Sequence, residues 1–185
     1  MGSDLSYANI SQYNVVMIPL AGPGVIGGYQ ADITQFVSNG GGLWIHQPNA
    51  NGTIDYAPPD LQATVSDAFW CDPADVNTIV APSHPIMQGL TDDMLSGRFD
   101  TVYDTGLGPG YMITATGSPY CPTNVHSAAG THGNGRVFFD VANCGPYSMD
   151  PGDDQYVINI IEWLCQGGVI PTQNTTWGAV KSLYR

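Results

Sequence analysis

Val15, Val16, Met17, Ile18 and Leu20 form an apolar run with no polar alternation. A strand of that kind needs cover on both faces, which a parallel sheet between helix layers provides. The residues that follow narrow the choice. A glycine-rich loop (Gly22, Gly24, Gly27, Gly28) leads into Ile33, Phe36 and Val37 at helical spacing, Gly40 to Gly42 close that helix, and Leu43 to His46 reads as a second strand. Glycine ends a helix readily because it takes the left-handed conformation without a steric clash. Strand, helix and strand make one βαβ unit whose right-handed crossover puts the loops after both strands on one carboxyl edge, where α/β proteins bind their ligands. The expected fold is α/β with a mostly parallel sheet.

Composition excludes some partners. Four Lys and Arg stand against 16 acidic residues, a net charge of -12. A nucleic-acid partner is excluded because no basic surface exists to displace counterions from phosphates, and no apolar run is long enough for membrane insertion as a spanning helix. Charged residues make up only 11%, with Gly 23 and Pro 14, as in a loop-rich exported protein. Cys71, Cys121, Cys144 and Cys165 contain no CxxC pair, so a zinc knuckle is not expected. Two disulfides, one tethering the Gly117–Gly133 loop through Cys121, are the expected use of four cysteines outside the cell, with four buried thiols as the alternative. Sequons at Asn9, Asn51 and Asn174 are compatible with export.

Further along, Leu61 to Phe69 fits a short helix capped by Asp60, Thr78 to Val80 a strand, and residues 91–110 a surface loop or irregular edge. Tyr111 to Thr116 alternates as a strand, Gly117 to Gly133 reads as a long connection, and Val137 to Val141 as the last strand. A helix over 153–166 has Val157, Ile160, Ile161 and Leu164 on one stripe. The division is a domain over 1–168 and a tail over 169–185, in which Trp177, Lys181 and Arg185 stand out.

The ordered motifs resemble the class I glutamine amidotransferase-like superfamily, in particular its ThuA-like (trehalose-utilisation-like) members. They are the opening unit ending in His46, then His84-Pro85-Ile86-Met87-Gln88-Gly89-Leu90, Gly133-Asn134-Gly135-Arg136-Val137-Phe138-Phe139, and Asn159-Ile160-Ile161-Glu162-Trp163-Leu164. The match covers roughly residues 10–166. It implies a three-layer flavodoxin-like sandwich, N-terminally truncated, since the family's first strand and helix have no counterpart here and Met1-Gly2-Ser3 resembles a cloning remnant. The closing Trp177 to Arg185 stretch resembles a tail found on exported multidomain bacterial proteins. True amidotransferases carry a cysteine nucleophile after the second strand, whereas this chain has Gln47-Pro48-Asn49. The resemblance therefore implies a scaffold without the glutaminase chemistry.

Candidate chemistry centres on histidines. His46 ends a strand on the carboxyl edge and could act as a general base, or simply bond loop backbone. His126 and His132 in the Gly117–Gly133 connection, with Asp104, are further catalytic candidates. No G-x-S-x-G elbow adjoins any of them. His84 reads as part of a turn. A metal set drawn from His46, His84, His126, His132, Asp104 or Asp140 lacks the spacing of zinc enzymes. Asp150, Asp153 and Asp154 offer hard oxygen ligands suited to calcium, although helix capping accounts for them equally and the EF-hand pattern is absent. The glycine-rich loop lacks the lysine of a phosphate cradle, so no nucleotide cofactor is expected.

Two functions stay open: a non-catalytic module of an exported bacterial protein acting in binding or assembly, and a hydrolase, esterase- or glycosidase-like, using a histidine on the carboxyl edge. The missing family strand would leave Val15–Leu20 as an uncharged open edge. Such an edge templates pairing with another chain. Self-association, or a partner domain, is expected there, with a second copy favoured over the flanking segments.

Overall fold

The computed structural model describes residues 4–19, 26–46, 52–66, 77–95, 101–117, 124–141 and 151–167. A short helix, α1 (Tyr7–Ile10), precedes β1 (Val15–Pro19), and α2 (Gln30–Ser38) connects it to β2 (Gly42–His46). Gly40 at φ 107° ends α2, in the conformation the glycine run anticipates. Then follow β3 (Gly52–Thr53), β4 (Ala63–Ser66), β5 (Thr78–Ile79), β6 (Thr101–Leu107), β7 (Tyr111–Thr116), β8 (Asn124–His132), β9 (Gly135–Asp140) and α3 (Pro151–Cys165).

These strands form one nine-stranded mixed sheet with the path β1-β2-β9-β8-β6-β4-β3, β7 pairing with β8 and β5 with β7. Val125 pairs with both Val102 and Thr116, so β6 and β7 lie on opposite edges of β8; β9 takes over β6's edge from Ser127 onward. Only β1–β2 and β2–β9 are parallel. The expectation of a mostly parallel sheet is corrected here: the other pairings among the described residues are antiparallel. The reason is connection length. β8 returns into β9 through the two-residue turn Gly133–Asn134, with Gly133 at φ 59°, and no crossover helix fits in such a link.

Around the parallel strands, helices cover both faces. Ile33, Phe36 and Val37 of α2 join Ile18, Leu43, Ile45, Val137 and Phe139 in one core. On the other face Tyr156, Ile160, Trp163 and Leu164 of α3 join Trp44, Phe138 and the turn residues Ile86, Met87 and Leu90. The expected α3 stripe is rotated slightly, since Ile160 and Leu164 are fully buried while Val157 and Ile161 are half-buried. Burying Tyr156, Ile160, Trp163 and Leu164 contributes on the order of 8 kcal/mol. Asn159, buried in the same face, donates from Nδ2 to the carbonyls of Ile86 (2.9 Å) and Gln88 (2.8 Å) and so fastens the His84–Leu90 turn to α3. Arg136 donates to the Trp163 carbonyl (2.7 Å) and stacks on its ring, satisfying an otherwise free acceptor at the helix end.

Three other expectations are corrected. Leu61 opens no helix: a 3-10 turn over Pro59–Leu61 runs into β4, because Ala63 and Val65 are buried with Thr64 exposed between them, a strand's period. Residues 101–107 form β6 rather than a loop. Most of the Gly117–Gly133 connection is β8, buried from Asn124 to Gly130. Leu20, Gly22–Gly24, Gln47–Asn49, Asn51, Cys71, Cys121, Cys144, Asp150, Asn174 and the tail from residue 168 lie outside the described residues.

Candidate functional site

β2 and β9 run parallel in a register that sets His46 beside Asp140, each closing an apolar strand, Leu43-Trp44-Ile45 and Val137-Phe138-Phe139. At the carboxyl edge the two side chains meet: His46 Nδ1 and Asp140 Oδ1 are 2.5 Å apart, with side-chain exposures of 8% and 0%. A hydrogen-bonded Asp on Nδ1 fixes the imidazole's tautomer and leaves Nε2 as the basic atom. Burial alone pulls the His46 pKa down, but the charge and hydrogen bond of Asp140 together outweigh it and leave the pKa raised. Asp140 is raised as well, its complete burial outweighing the pull of His46 and of the nearby Trp44 indole. Trp44 Nε1 and Asp140 Oδ2 are both buried and have no hydrogen-bond partner among the described residues. The Trp44 ring meets His46 edge-on at 5.9 Å.

His126 on β8 is fully buried nearby, its carbonyl accepting from Val141 N (3.1 Å). Burial, and then the charge of His46, hold its pKa down to about 3. It is a neutral imidazole at neutral pH. The next residue, Ser127, lies opposite Asp140 in the ladder, but its hydroxyl is taken up by Thr114 Oγ1 at 2.8 Å.

The other candidates do not join this group. His132 closes the far end of β8, six residues and about 20 Å of strand from His126, where its Nδ1 pairs with Asp60 Oδ1 at 2.8 Å. Those side chains are 25% and 45% exposed. The expected His126/His132 loop site is thereby corrected: the two lie at opposite ends of one strand. Asp104 falls within β6, Asp153 within the first turn of α3, and Asp154 is exposed on that turn, as a helix N-terminus favours. His84 caps the Pro85–Met87 turn, accepting from Ile86 N, and packs on Trp163 at 5.1 Å; burial and then Arg136 lower its pKa. Cys165 is a free, exposed thiol. Among the described residues no cluster of three His, Cys, Asp or Glu side chains is arranged to hold a metal.

Chemically, the arrangement is a histidine oriented by a buried carboxylate that also raises its pKa, with no hydroxyl or thiol nucleophile joined to it among the described residues. Asp140 entered the sequence reading only as a metal candidate. The signal that finds its role is the position of each polar residue at the end of an equal apolar run, which a parallel register brings side by side.

No family model matches the chain, and no curated protein does. Among solved structures it is similar to the cytoplasmic protein STM3548 from Salmonella typhimurium, at 15% identity and TM-score 0.56, over 89% of this chain and 76% of that one. STM1381 from Salmonella typhimurium LT2 is similar at 14% identity and TM-score 0.53, over 88% and 74%. A β-galactosidase from Bacillus circulans is similar at 15% identity and TM-score 0.51, over 83% of this chain but 23% of that one. At these identities the likeness is one of fold.

Proposed function

We propose that the chain is a non-catalytic, amidotransferase-like (ThuA-like) module of an exported bacterial protein, acting in binding or assembly through the edge of β1. In this reading the parallel strands and their two helix layers are a flavodoxin-like sandwich, extended on one side by antiparallel strands.

The observation that carries it is the state of β1. Gly42 N donates to Asn14 O (2.8 Å), so in the parallel register Asn14, Val16 and Ile18 direct their backbone groups at β2, while Val15, Met17 and Pro19 direct theirs away. No hydrogen bond of the described residues takes up the outward N–H groups of Val15 and Met17. Pro19 lacks a donor at the outward position, where an edge strand tolerates proline. Such an edge supports strand addition by a second copy or a partner domain. The fold likeness to under a quarter of a β-galactosidase chain supports the role of a module within a larger protein. Light scattering over a concentration series tests it: the mass should rise with concentration in the wild type and stay monomeric in Val15→Pro, which removes one outward donor and leaves the bonds to β2 intact.

A second reading, a hydrolase of the esterase or glycosidase type, draws on the His46–Asp140 pair, in which Nε2 would activate water directly.

A further inference from the structure

The donors and acceptors along the outer edge of β1 restrict what can pair with it. Among the described residues, Val15 and Met17 each direct an N–H and a carbonyl outward with no partner. Both ends of this short row are closed to donation. Pro19 has no N–H to give, and the Tyr13 N–H is already bonded to the Ile10 carbonyl at 3.1 Å. The row therefore holds two donors and two acceptors, balanced in partial charge, on a strand without a charged side chain.

An edge of this composition is complementary to itself. Antiparallel strands exchange both backbone bonds between residues directly opposite, so a second β1 related by a two-fold axis has three registers that use both donors. With Met17 opposite the second copy's Met17, the Val15 carbonyl of each chain meets the ring of Pro19, which has no donor. With Val15 opposite Val15, the Met17 carbonyl of each chain meets the committed N–H of Tyr13. With Val15 opposite Met17, both outward donors of each chain find carbonyls and both outward carbonyls find donors. That register also suits the side chains. Val16 lies opposite the second copy's Val16, and the Val15 and Met17 pairs are apolar, so no like charges face one another across them. One step beyond, Tyr13, 59% exposed, stands opposite the exposed Pro19, so each ring shields the other at both ends of the ladder.

We propose that a second copy pairs its β1 antiparallel with this one about a two-fold axis at Val16, joining two nine-stranded sheets into one closed dimer. The inference rests on the assembly reading and names its partner, register and stoichiometry. A two-fold pairing uses the same edge of both chains and leaves neither β1 open, so it stops at two chains.

The test uses the full chain carrying Cys165→Ser, with Val15→Cys, Val16→Cys and Met17→Cys added singly. Each variant is oxidised by dissolved oxygen with a copper catalyst, and disulfide-linked peptides are mapped. In the proposed register the two copies of position 16 form a non-hydrogen-bonded pair with Cα atoms about 4.5 Å apart, within a disulfide's reach. The two copies of position 15, or of position 17, lie about 8.5 Å apart and beyond it. The expected result is a link between the introduced thiols of Val16→Cys at least about tenfold faster than in either neighbour. Light scattering of the wild type should rise to a plateau at twice the chain mass. If the wild type associates but Val15→Cys or Met17→Cys links fastest, none links, or the mass climbs past two chains, the inference falls and the assembly reading survives. A wild type that stays monomeric at every concentration, with Val16→Cys linking no faster than its neighbours, overturns both.

Discussion

Two histidine–aspartate pairs of similar geometry occupy opposite surroundings in this molecule. His46–Asp140 lies at the carboxyl edge of the parallel strands, nearly sealed from solvent, with neutral His126 as a neighbour. His132–Asp60 lies at the other end of β8, between a hairpin and a 3-10 turn, open to water on both partners. Contact distance says little about their importance. Burial decides, because a buried ion pair has lost its hydration and depends wholly on its partner, whereas a surface pair falls back on water.

The largest expected effect belongs to the buried group as a whole. His126 binds a proton near pH 6.5 when unfolded but only near pH 3 when folded. Its contribution is therefore present above pH 6.5 and lost as pH falls toward 3, on the order of 5 kcal/mol in total. Urea denaturation at stepped pH should show this acid loss in the wild type and a much shallower slope in His126→Gln. A wild type equally stable at pH 4 and pH 7 would mean that His126 is hydrated in solution.

Next in size is the pair itself. Asp140→Ala strands His46 in a dry site and should cost about 3 kcal/mol at neutral pH, measured by the same denaturation. A loss below 1 kcal/mol would place the pair with the surface class and erase the contrast. A third expectation concerns the alkaline side. The raised pKa of His46 gives a contribution that is complete below its unfolded value and lost as pH rises through the folded one. Stability should therefore decline as pH rises above the ordinary histidine range, and Asp140→Asn should flatten that decline. Smallest is the exposed pair, where Asp60→Ala should cost less than about 1 kcal/mol and less again in high salt. A larger, salt-insensitive loss would show that Asp60 acts through its turn and not through His132.

The sequence was legible where side chains are large and the period unambiguous. Val15 to Ile18, Leu43 to His46, Tyr111 to Thr116 and the Ile160/Leu164 stripe each declare their element, and His46 lies on the edge where the βαβ unit puts it. β8 was hidden because its residues are small: Asn124-Val125-His126-Ser127-Ala128-Ala129-Gly130 is buried throughout, and neither hydrophobic alternation nor bulk marks it. Small residues are required there. A Cβ on Gly130 would collide with Leu61 and with the Gly110 carbonyl. β4 was misread because Leu61, Val65 and Phe69 match a helical repeat as well as a strand's, and only its pairing with β6 decides between them. The Asp140 contact was hidden for a different reason: it depends on the register of strands more than 90 residues apart, which no local pattern encodes.

We propose that His46–Asp140 clasps two strands and that the protein acts through the edge of β1. Initial-rate assays on a panel of esters and glycosides, run with the full chain and with His46→Gln, test it most directly. No turnover above the uncatalysed background is expected in either protein; turnover by the wild type that disappears in His46→Gln and falls in Asp140→Asn would make His46 a catalytic base instead.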